Sequence, residues 1–464
     1  MFLAQARVLQ VHEMAEVETR ILETEAGRKQ SPRQGEPARA SALGMASDGR
    51  LGVSNRKLRA AGRAATKVPR GRKLKSVELF TGAGGLALAI EKAGFHHHTV
   101  IERDRDCCDT IRENQARGFS LLDGWQLFSG DVRDFDYSAI KADVDLLAGG
   151  PPCQPFSIGG KHKAYHDERD MFPQVVRAVR ELRPRAILVE NVKGLTRRTF
   201  ANYFSYIVFQ LSHPEIVRAE GESWTEHRSR LERYHTKGSW SGLEYHVVPR
   251  LLNAANYGVP QKRERVFFVG FRSDLGVEWT FPDETHSLES LLIDQWVTGE
   301  YWDRHRIATK DRPKLPGRFA NRVDALKACT PLDLFAASPW RTVRDALAGL
   351  PDPERDDCSG FFNHRHNPGA RSYVGHTGSP LDEPAKTLKA GDHGVPGGEN
   401  TVVRPDGKLR YFTVREAARI QTFDDGYVFH GAWSEAMRQL GNAVPVRLGE
   451  AVAAGVRQRL VAVR

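Results

Sequence analysis

Residues 75–94 have the sequence KSVELFTGAGGLALAIEKAG. Lys75–Phe80 is a short, largely apolar run that predicts a strand, and Thr81–Gly85 predicts a glycine turn. Leu86–Ala93 predicts a helix, which Gly94 closes because glycine readily adopts the left-handed conformation that ends helices. Strand, turn and helix together form a βα unit.

The same alternation continues along the chain. Further strands are predicted at Thr99–Glu102, Leu127–Gly130, Val144–Leu147, Ala186–Glu190 and Val266–Phe271, with a helix at Met171–Leu182. Strands that alternate with helices predict an α/β fold with a doubly wound, mostly parallel, Rossmann-like sheet. Ligands bind such sheets beyond the carboxyl ends of the strands. The polar and glycine residues at those ends are Gly82, Glu102, Asp131, Cys153 and Glu190.

Composition excludes several other classes of protein. The chain has 464 residues, 40% hydrophobic and 27% charged, which is an ordinary balance for two or three globular domains. No apolar run approaches the roughly 20 residues of a membrane span, and the N-terminus lacks a basic patch followed by an apolar run, so secretion is not expected. Five cysteines without a CxxC pair predict neither a disulfide framework nor a zinc site. We expect a bacterial cytoplasmic protein that meets no membrane.

The net charge of +10 lies almost entirely at the N-terminus. Residues 1–75 hold 16 Lys and Arg against 7 Asp and Glu, and the remainder of the chain is nearly neutral. Residues 1–74 are therefore predicted to be a basic, disordered extension that attracts phosphates. The sequence leaves open what this extension does and whether Met1 or Met45 is the true start.

The glycine turn and the acids that follow it predict an adenosine ligand. Phe80–Gly85 (FTGAGG) lacks the spacing of a dinucleotide fingerprint and is weak evidence by itself. Glu102 lies 20 positions after Gly82, which is the spacing of the acid that binds ribose in nucleotide-binding units. With only Glu102 and Asp131 following, the turn fits an adenosine ligand without a pyrophosphate at least as well as NAD, which points to S-adenosylmethionine.

A thiol and a carboxyl group are predicted to face one cavity. Cys153 follows a strand and a rigid Pro-Pro turn in DVDLLAGGPPCQ (143–154), and Glu190 ends the strand AILVENV (186–192). The 37-residue interval suits one loop and one helix returning to the sheet. Taken singly, a buried core cysteine or a helix-capping glutamate remains an equal alternative.

The segment QKRER (261–265) precedes an apolar strand. Its alternating polar side chains could form only a solvated edge. Alternatively, Arg263 and Arg265 share a face, from which they could bind phosphate or a base carbonyl.

In this order along the chain, several motifs resemble the conserved blocks of the DNA (cytosine-5) methyltransferases. The resemblance covers about residues 75–272 and 376–460, and TVREAARIQTF (413–423) also resembles the helix before the last block. The motifs are FTGAGG (80–85), ERD (102–104), GDV (130–132), GGPPCQPFS (149–157), ENVKGL (190–195), QKRER (261–265) and QLGNAV (439–444).

The resemblance implies a covalent mechanism at a flipped-out cytosine. The Cys153 thiolate would add to C6, while protonated Glu190 close to N3 would relieve the developing negative charge. Arg265 would hold the cytosine O2, with Arg263 and Asn191 supporting the pocket. The loop 156–170 would close over the nucleotide.

The resemblance also implies a binding site for S-adenosylmethionine. Phe80 would lie against the adenine, and the remaining contacts would come from Gly82, Gly84 and Gly85 under the methionine moiety, Glu102 on the ribose, Asp131 on the adenine amino group and Asn442 near the methionine end. Two residues depart from the family pattern. Arg103 stands where an aromatic residue often stacks on the adenine, and Val446 replaces a usual proline.

The implied partner is double-stranded DNA, bound by a monomer that is functionally paired with a restriction endonuclease. Residues 75–272 would form the catalytic and cofactor-binding domain, to which residues 401–464 return. Residues 273–400 would form a target-recognition domain, in which the basic stretch 301–327, interleaved with Trp302 and Phe319, contacts DNA.

Alternatives are a tRNA methyltransferase, since one branch of the family modifies tRNA, and a catalytically silent DNA-binding protein on the same scaffold. No metal is predicted. His96–His98 is expected to be a surface turn, Cys107 and Cys108 part of a half-buried helix, and His364 and His366 part of a polar loop.

Overall fold

The computed structural model describes residues 73–152, 170–238, 240–328, 337–371, 377–390 and 400–463. Cys153, residues 156–169 of the predicted loop and residues 1–72 of the predicted extension lie outside the described residues. Residues 73–464 form one compact unit. In the described part of the chain, no helix is both long and apolar enough to cross a membrane.

A seven-stranded sheet organises the described residues, with strand order β3-β2-β1-β4-β5-β7-β6. Strands β1 to β5 are parallel to one another, and β7 runs antiparallel to both β5 and β6. The doubly wound, mostly parallel sheet predicted from the sequence is confirmed. The strands are β1 (Leu74–Leu79), β2 (Phe95–Glu102), β3 (Gln126–Ser129), β4 (Leu146–Gly149), β5 (Ala186–Val192), β6 (Tyr245–Asn253) and β7 (Glu264–Arg272).

The central strands β4, β5 and β7 are buried on both faces, which explains their long apolar stretches. Alternate residues of one strand enter different cores: Ile187 and Val189 join one cluster, whereas Leu188 joins another. The first cluster contains residues of α3 (Phe172–Leu182) and α4 (Ala201–Ser212). The second contains residues of α1 (Gly85–Lys92) and α12 (Val446–Ala462).

The other described helices and short strands lie before, between and after these elements. They are α2 (Arg105–Ala116), α5 (Trp224–Lys237), α6 (Leu288–Trp296), α7 (Glu300–Arg304), α8 (Ala320–Ala328), α9 (Val343–Leu347), α10 (Val414–Ile420), α11 (Trp433–Asn442), β8 (His286–Ser287), β9 (Ser338–Pro339), β10 (Ser379–Pro380), β11 (Thr401–Val403) and β12 (Leu409–Tyr411). Cys107 and Cys108 are buried in α2, as their helical pattern predicted.

The basic stretch 301–327 has a core of its own. Trp302 is buried against Leu291 and Tyr301, so this aromatic residue packs inside the protein and is not available to contact DNA. Several of the arginines are held in ion pairs, Arg304 with Asp294, Arg312 with Asp303, Arg318 with Glu383 and Arg322 with Glu289. Part of the positive charge counted in the sequence is therefore already balanced within the fold.

The predicted surface turn at His96–His98 is wrong, because these residues belong to β2. His97 is fully buried, with Nδ1 3.2 Å from an oxygen of Glu91 and Nε2 3.4 Å from an oxygen of Glu78. Trp125 donates its indole N–H to Glu91 as well, at 3.2 Å. The carboxyl groups of Glu78 and Glu91 offset the free-energy cost of burying the polar ring. The pattern of three adjacent histidines could not reveal these partners.

We expect His97→Gln to destabilise the protein by about 3–5 kcal/mol, since it leaves a buried carboxyl group without its partner. Burial lowers the pKa of His97, but its hydrogen bonds to the Glu78 and Glu91 carboxylates and their negative charges outweigh this effect and raise the pKa above the ordinary 6.5. The stabilisation from this histidine is therefore complete below pH 6.5 and lost as pH rises through the higher folded-state value.

Urea unfolding at several pH values measures this effect. His98→Gln is the matched control, because His98 lies outside the Glu78–Glu91 pair and its Nδ1 contacts the Thr99 hydroxyl at 2.8 Å. The same pH dependence in wild type and in His97→Gln would contradict the assignment.

Candidate active site

The parallel register brings the carboxyl ends of five strands to one edge of the sheet. Leu79 pairs with Ile101 and with Gly149, and Gly149 pairs in turn with Val189. Ile101 pairs with Phe128 on the outer side. The residues that follow these positions, which the sequence analysis singled out as functional, are thus adjacent in space.

The glycine turn after β1 has a backbone that few other sequences could adopt. Gly82 has φ +56° and Gly84 has φ +89°, values in the left-handed region. Phe80 also has φ +56°, although it carries a side chain. A strained residue of this kind costs roughly 1–3 kcal/mol and is concentrated at functional sites.

Gly85 is required for packing. A Cβ atom there would lie 2.5 Å from the carbonyl oxygen of Val444, which is backbone and cannot rotate away. Gly85→Ala should therefore destabilise the protein by about 1–3 kcal/mol, as overpacking does. Urea unfolding checks this, with Gly317→Ala as control because nothing lies within 4 Å of its Cβ position. Equal stabilities of the two variants would contradict the close contact.

Tyr427 contacts this glycine turn from a distant part of the chain, and the sequence analysis missed it. Its hydroxyl donates to the carbonyl of Ala83 at 2.8 Å and lies 3.2 Å from the Cβ position of Gly84. Tyr427 and Ala83 are 344 positions apart along the chain, so no local pattern could have paired them.

Glu102 ties the second strand end to the glycine turn. Its carboxylate accepts the backbone N–H groups of Gly82 at 2.6 Å, Asp104 at 2.7 Å and Arg103 at 2.8 Å. Burial raises the pKa of Glu102, and these hydrogen bonds oppose that shift. A carboxylate offers about four acceptor positions, so about one is left for an outside hydroxyl group.

Asp131, after the third strand, is held by two arginines. Arg133 donates its backbone N–H and Nε to Oδ1, both at 2.9 Å, and a further N–H to Oδ2 at 2.8 Å. Arg103 donates to Oδ2 at 3.3 Å. The Arg133 guanidinium keeps the pKa of Asp131 well below its usual value, so this group is a carboxylate at any ordinary pH.

Asn442 lies close to the same turn. It is the last residue of α11 and is exposed. The next residue, Ala443, has its Cβ 3.1 Å from the Cβ position of Gly85. The three strand ends, the turn and Asn442 are therefore grouped as the resemblance implied, although their roles toward a ligand remain a prediction.

Glu190 and Arg265 form a buried ion pair, with Arg265 Nε 2.8 Å from Glu190 Oε1. The other oxygen of Glu190 lies 3.1 Å from the Cβ position of Gly150. Burial raises the pKa of Glu190, and the charges of Arg265 and Arg263 oppose the rise. A carboxyl group of this kind can hold a proton at higher pH than an exposed glutamate.

The strand end that leads to Cys153 is fixed beside this pair. Asn191 donates its side-chain amide to the carbonyl of Pro151 at 3.1 Å, which joins the segment after β4 to the end of β5. Cys153 comes two residues later and lies outside the described residues. The structure thus places Glu190, Asn191 and Arg265 together, and the position of the thiol stays a prediction.

Arg263 clamps three segments together. It is fully buried and donates to the carbonyls of Gly441 at 2.7 Å, Ala443 at 2.9 Å and Leu388 at 3.0 Å. The solvated-edge alternative for QKRER is therefore wrong, because Arg263 is fully buried and its terminal N–H groups donate to carbonyls of distant segments. These contacts suit the supporting role that the resemblance implied for Arg263.

Gln261 and Gln421 add a second buried link that the sequence analysis did not single out. Their side-chain amides contact each other at 3.0 Å, and Gln261 also accepts the N–H of Leu388. The signals were the position of Gln261 within QKRER and that of Gln421 within TVREAARIQTF. This link holds the residues before β7 against Gln421, which directly follows α10.

Comparison with known families agrees with this arrangement. A sequence profile described as C-5 cytosine-specific DNA methylase matches residues 74–214 and 224–458, which is most of the chain. The chain belongs to this family. As a C-5 cytosine-specific DNA methylase, it methylates cytosine in DNA at C5, and the RNA-methylating and catalytically silent alternatives are not favoured.

Similar proteins include type II methyltransferases of bacteria. The methylase is 32% identical over 383 residues to the type II methyltransferase M.Eco47II of Escherichia coli, covering 82% of this chain and 78% of that one. It is 30% identical to the type II methyltransferase M.NgoMIV of Neisseria gonorrhoeae, covering 81% and 95% respectively.

A solved structure supports the fold. It is a crystal structure of an E. coli prophage-encoded protein described as a DNA modification methyltransferase, which matches with a TM-score of 0.52 and 21% identity over 84% of this chain and 100% of that one. At this identity the likeness concerns the methylase fold alone.

Proposed function

We propose that this methylase transfers a methyl group from S-adenosylmethionine to C5 of a cytosine within one short sequence of double-stranded DNA. The type II methyltransferases that it resembles support a further step, in which the methylation protects host DNA from a partner restriction endonuclease. The enzyme would act as a monomer on DNA in the bacterial cytoplasm.

The described residues fit S-adenosylmethionine. Glu102 retains about one acceptor position for a ribose hydroxyl. Nothing lies within 4 Å of the Cβ position of Gly82, so that face of the turn is free of side chains, and exposed Asn442 is close to the turn. Phe80 would contact the adenine, and Asp131 would accept from its amino group. When bound, S-adenosylmethionine supplies a methyl group made electrophilic by a sulfonium.

The buried Glu190–Arg265 pair is the observation that carries the proposed mechanism. Carbon 5 of cytosine is a poor nucleophile until electron density is pushed onto it. The thiolate of Cys153 would form a bond to C6 while Glu190 gives its proton to N3, which turns the ring into an enamine. After methyl transfer, the C5 proton is lost, the bond to Cys153 breaks and N3 returns its proton to Glu190, so that the aromatic ring, the thiolate and the acid are restored.

Arg265 has two tasks in this scheme. Its charge opposes the effect of burial on the pKa of Glu190, which limits how firmly the proton is held. Its guanidinium would also donate to the cytosine O2, an oxygen on the same edge of the base as N3. Base and carboxyl group would then be aligned by one side chain.

We further propose that residues 273–400 form the target-recognition domain and that the base is flipped out of the duplex to reach the site. Arginine side chains of the stretch 301–327 would contact phosphates or guanine edges. Residues 75–272 and 401–464 would form the catalytic domain, since α12 packs on the sheet.

Expressing the gene in a bacterial host and bisulfite-sequencing the host DNA tests the function. We expect cytosines within one short motif to resist conversion, which would give activity and specificity in the same experiment. A host that expresses the Cys153→Ala variant gives the background level of unconverted cytosine. Conversion of every cytosine in the wild-type host would overturn the proposal.

A further inference from the structure

Arg103 lies between the two acids proposed to bind the adenosine. It directly follows Glu102, and its side chain is 65% exposed. Its guanidinium reaches Asp131 Oδ2 at 3.3 Å, which spans the gap between the ends of β2 and β3. An arginine in this position is within reach of any base that contacts Asp131.

Asp131 has no acceptor capacity left in this arrangement. Its two oxygens accept four hydrogen bonds, three from Arg133 and one from Arg103, and a carboxylate has about four acceptor positions. An adenine amino group can therefore bind Asp131 only by displacing one of these donors. The contact of Arg103 is the longest of the four and comes from an exposed side chain, so it is the least costly to break.

We propose that Arg103 exchanges partners when the cofactor binds: the adenine amino group takes its place on Asp131, and the released guanidinium covers the face of the adenine opposite Phe80. The inference rests on the proposed function, because it needs an adenosine cofactor. Phe80 packs against the core on one side and offers the adenine only one platform. A guanidinium is planar and weakly hydrated, and it stacks on aromatic faces, so Arg103 can supply the second.

Calorimetric titration of the purified full-length chain with S-adenosylhomocysteine measures the effect. We expect Arg103→Ala to weaken binding about tenfold, the size of a cation–π contact on a partly desolvated ring. Arg103→Tyr should restore binding to within about threefold of wild type, because a flat ring can stack there, whereas Arg103→Lys should not, because an ammonium group is compact and strongly hydrated.

Arg105→Ala is the matched control. Arg105 is also exposed, lies two residues further on and pairs with Asp109 in α2, so its removal changes the local charge equally but leaves the adenine site intact. Its binding constant should equal that of wild type. In kinetic assays Arg103→Ala should raise KM for S-adenosylmethionine with little change in kcat, as expected for a binding contact.

Three results would overturn the inference. Unchanged or tighter binding by Arg103→Ala would mean that Arg103 only competes with the adenine for Asp131. Full restoration by Arg103→Lys would mean that charge alone matters. If wild type itself fails to bind S-adenosylhomocysteine, the proposed cofactor is wrong, and the assignment of Arg103 fails with it.

Discussion

Cys153→Ala should abolish methyl transfer while specific DNA binding persists. Without the thiolate no bond forms to C6, and C5 stays too electron-poor to attack a methyl group. The expected loss is roughly 10⁴-fold or more, as when a nucleophile is removed from an enzyme that works through it. Transfer of labelled methyl groups to DNA measures turnover, and a gel mobility shift measures binding.

Two controls separate the nucleophile from a general effect of losing a thiol. Cys358→Ala removes a different cysteine, one that is partly exposed, and should leave activity unchanged. DNA with 5-fluorocytosine at the target should trap wild type covalently, because fluorine cannot leave as the C5 proton does, and should not trap Cys153→Ala. Turnover by Cys153→Ala, or the absence of any trapped wild-type complex, would assign the nucleophile elsewhere.

Glu190→Gln should lower kcat by about 10²–10⁴-fold, the range expected for loss of a positioned acid. An amide keeps the shape and can still donate a hydrogen bond, but it cannot give a proton to N3. Because burial raises the pKa of Glu190, activity in wild type should fall as pH rises through this value. That alkaline decrease should be absent from the residual activity of Glu190→Gln.

Glu264→Gln is the matched control for this carboxyl group. Glu264 is exposed at the start of β7 and pairs with Lys193, so the same chemical change is made just outside the pocket. Its rate and pH profile should resemble those of wild type. A pH profile of Glu190→Gln identical to that of wild type would show that another group donates the proton.

Much of the fold was predictable because it depends on local patterns. The apolar run ending in FTGAGG predicts a strand, a turn and a helix, and the observed β1 and α1 differ from the predicted bounds by one residue. Parallel strands follow from the alternation of strands and helices, and their ends must share an edge of the sheet. For this reason the grouping of Glu102, Asp131 and Glu190 could also be predicted.

The failures occurred where a side chain depends on distant segments. His97 is buried beside the carboxyl groups of Glu78 and Glu91, and Arg263 is buried because three carbonyls from beyond residue 387 accept its N–H groups. His97 and Arg263 are both polar residues, which the sequence alone would place at the protein surface. The predicted contact of Trp302 with DNA is wrong for the same reason, since the core that Trp302 fills is visible only in the folded structure.

The order of motifs along the chain determined the family, the sheet and the candidate residues at its edge. Tertiary structure decided which charges are used up inside the protein and which are left for a ligand. Arg263 donates its hydrogen bonds to backbone carbonyls inside the protein. Arg103 is held by one long hydrogen bond to Asp131 and can be released. The physical reason is that periodicity and turn chemistry act over a few residues, but desolvation of a charge depends on every segment that packs around it.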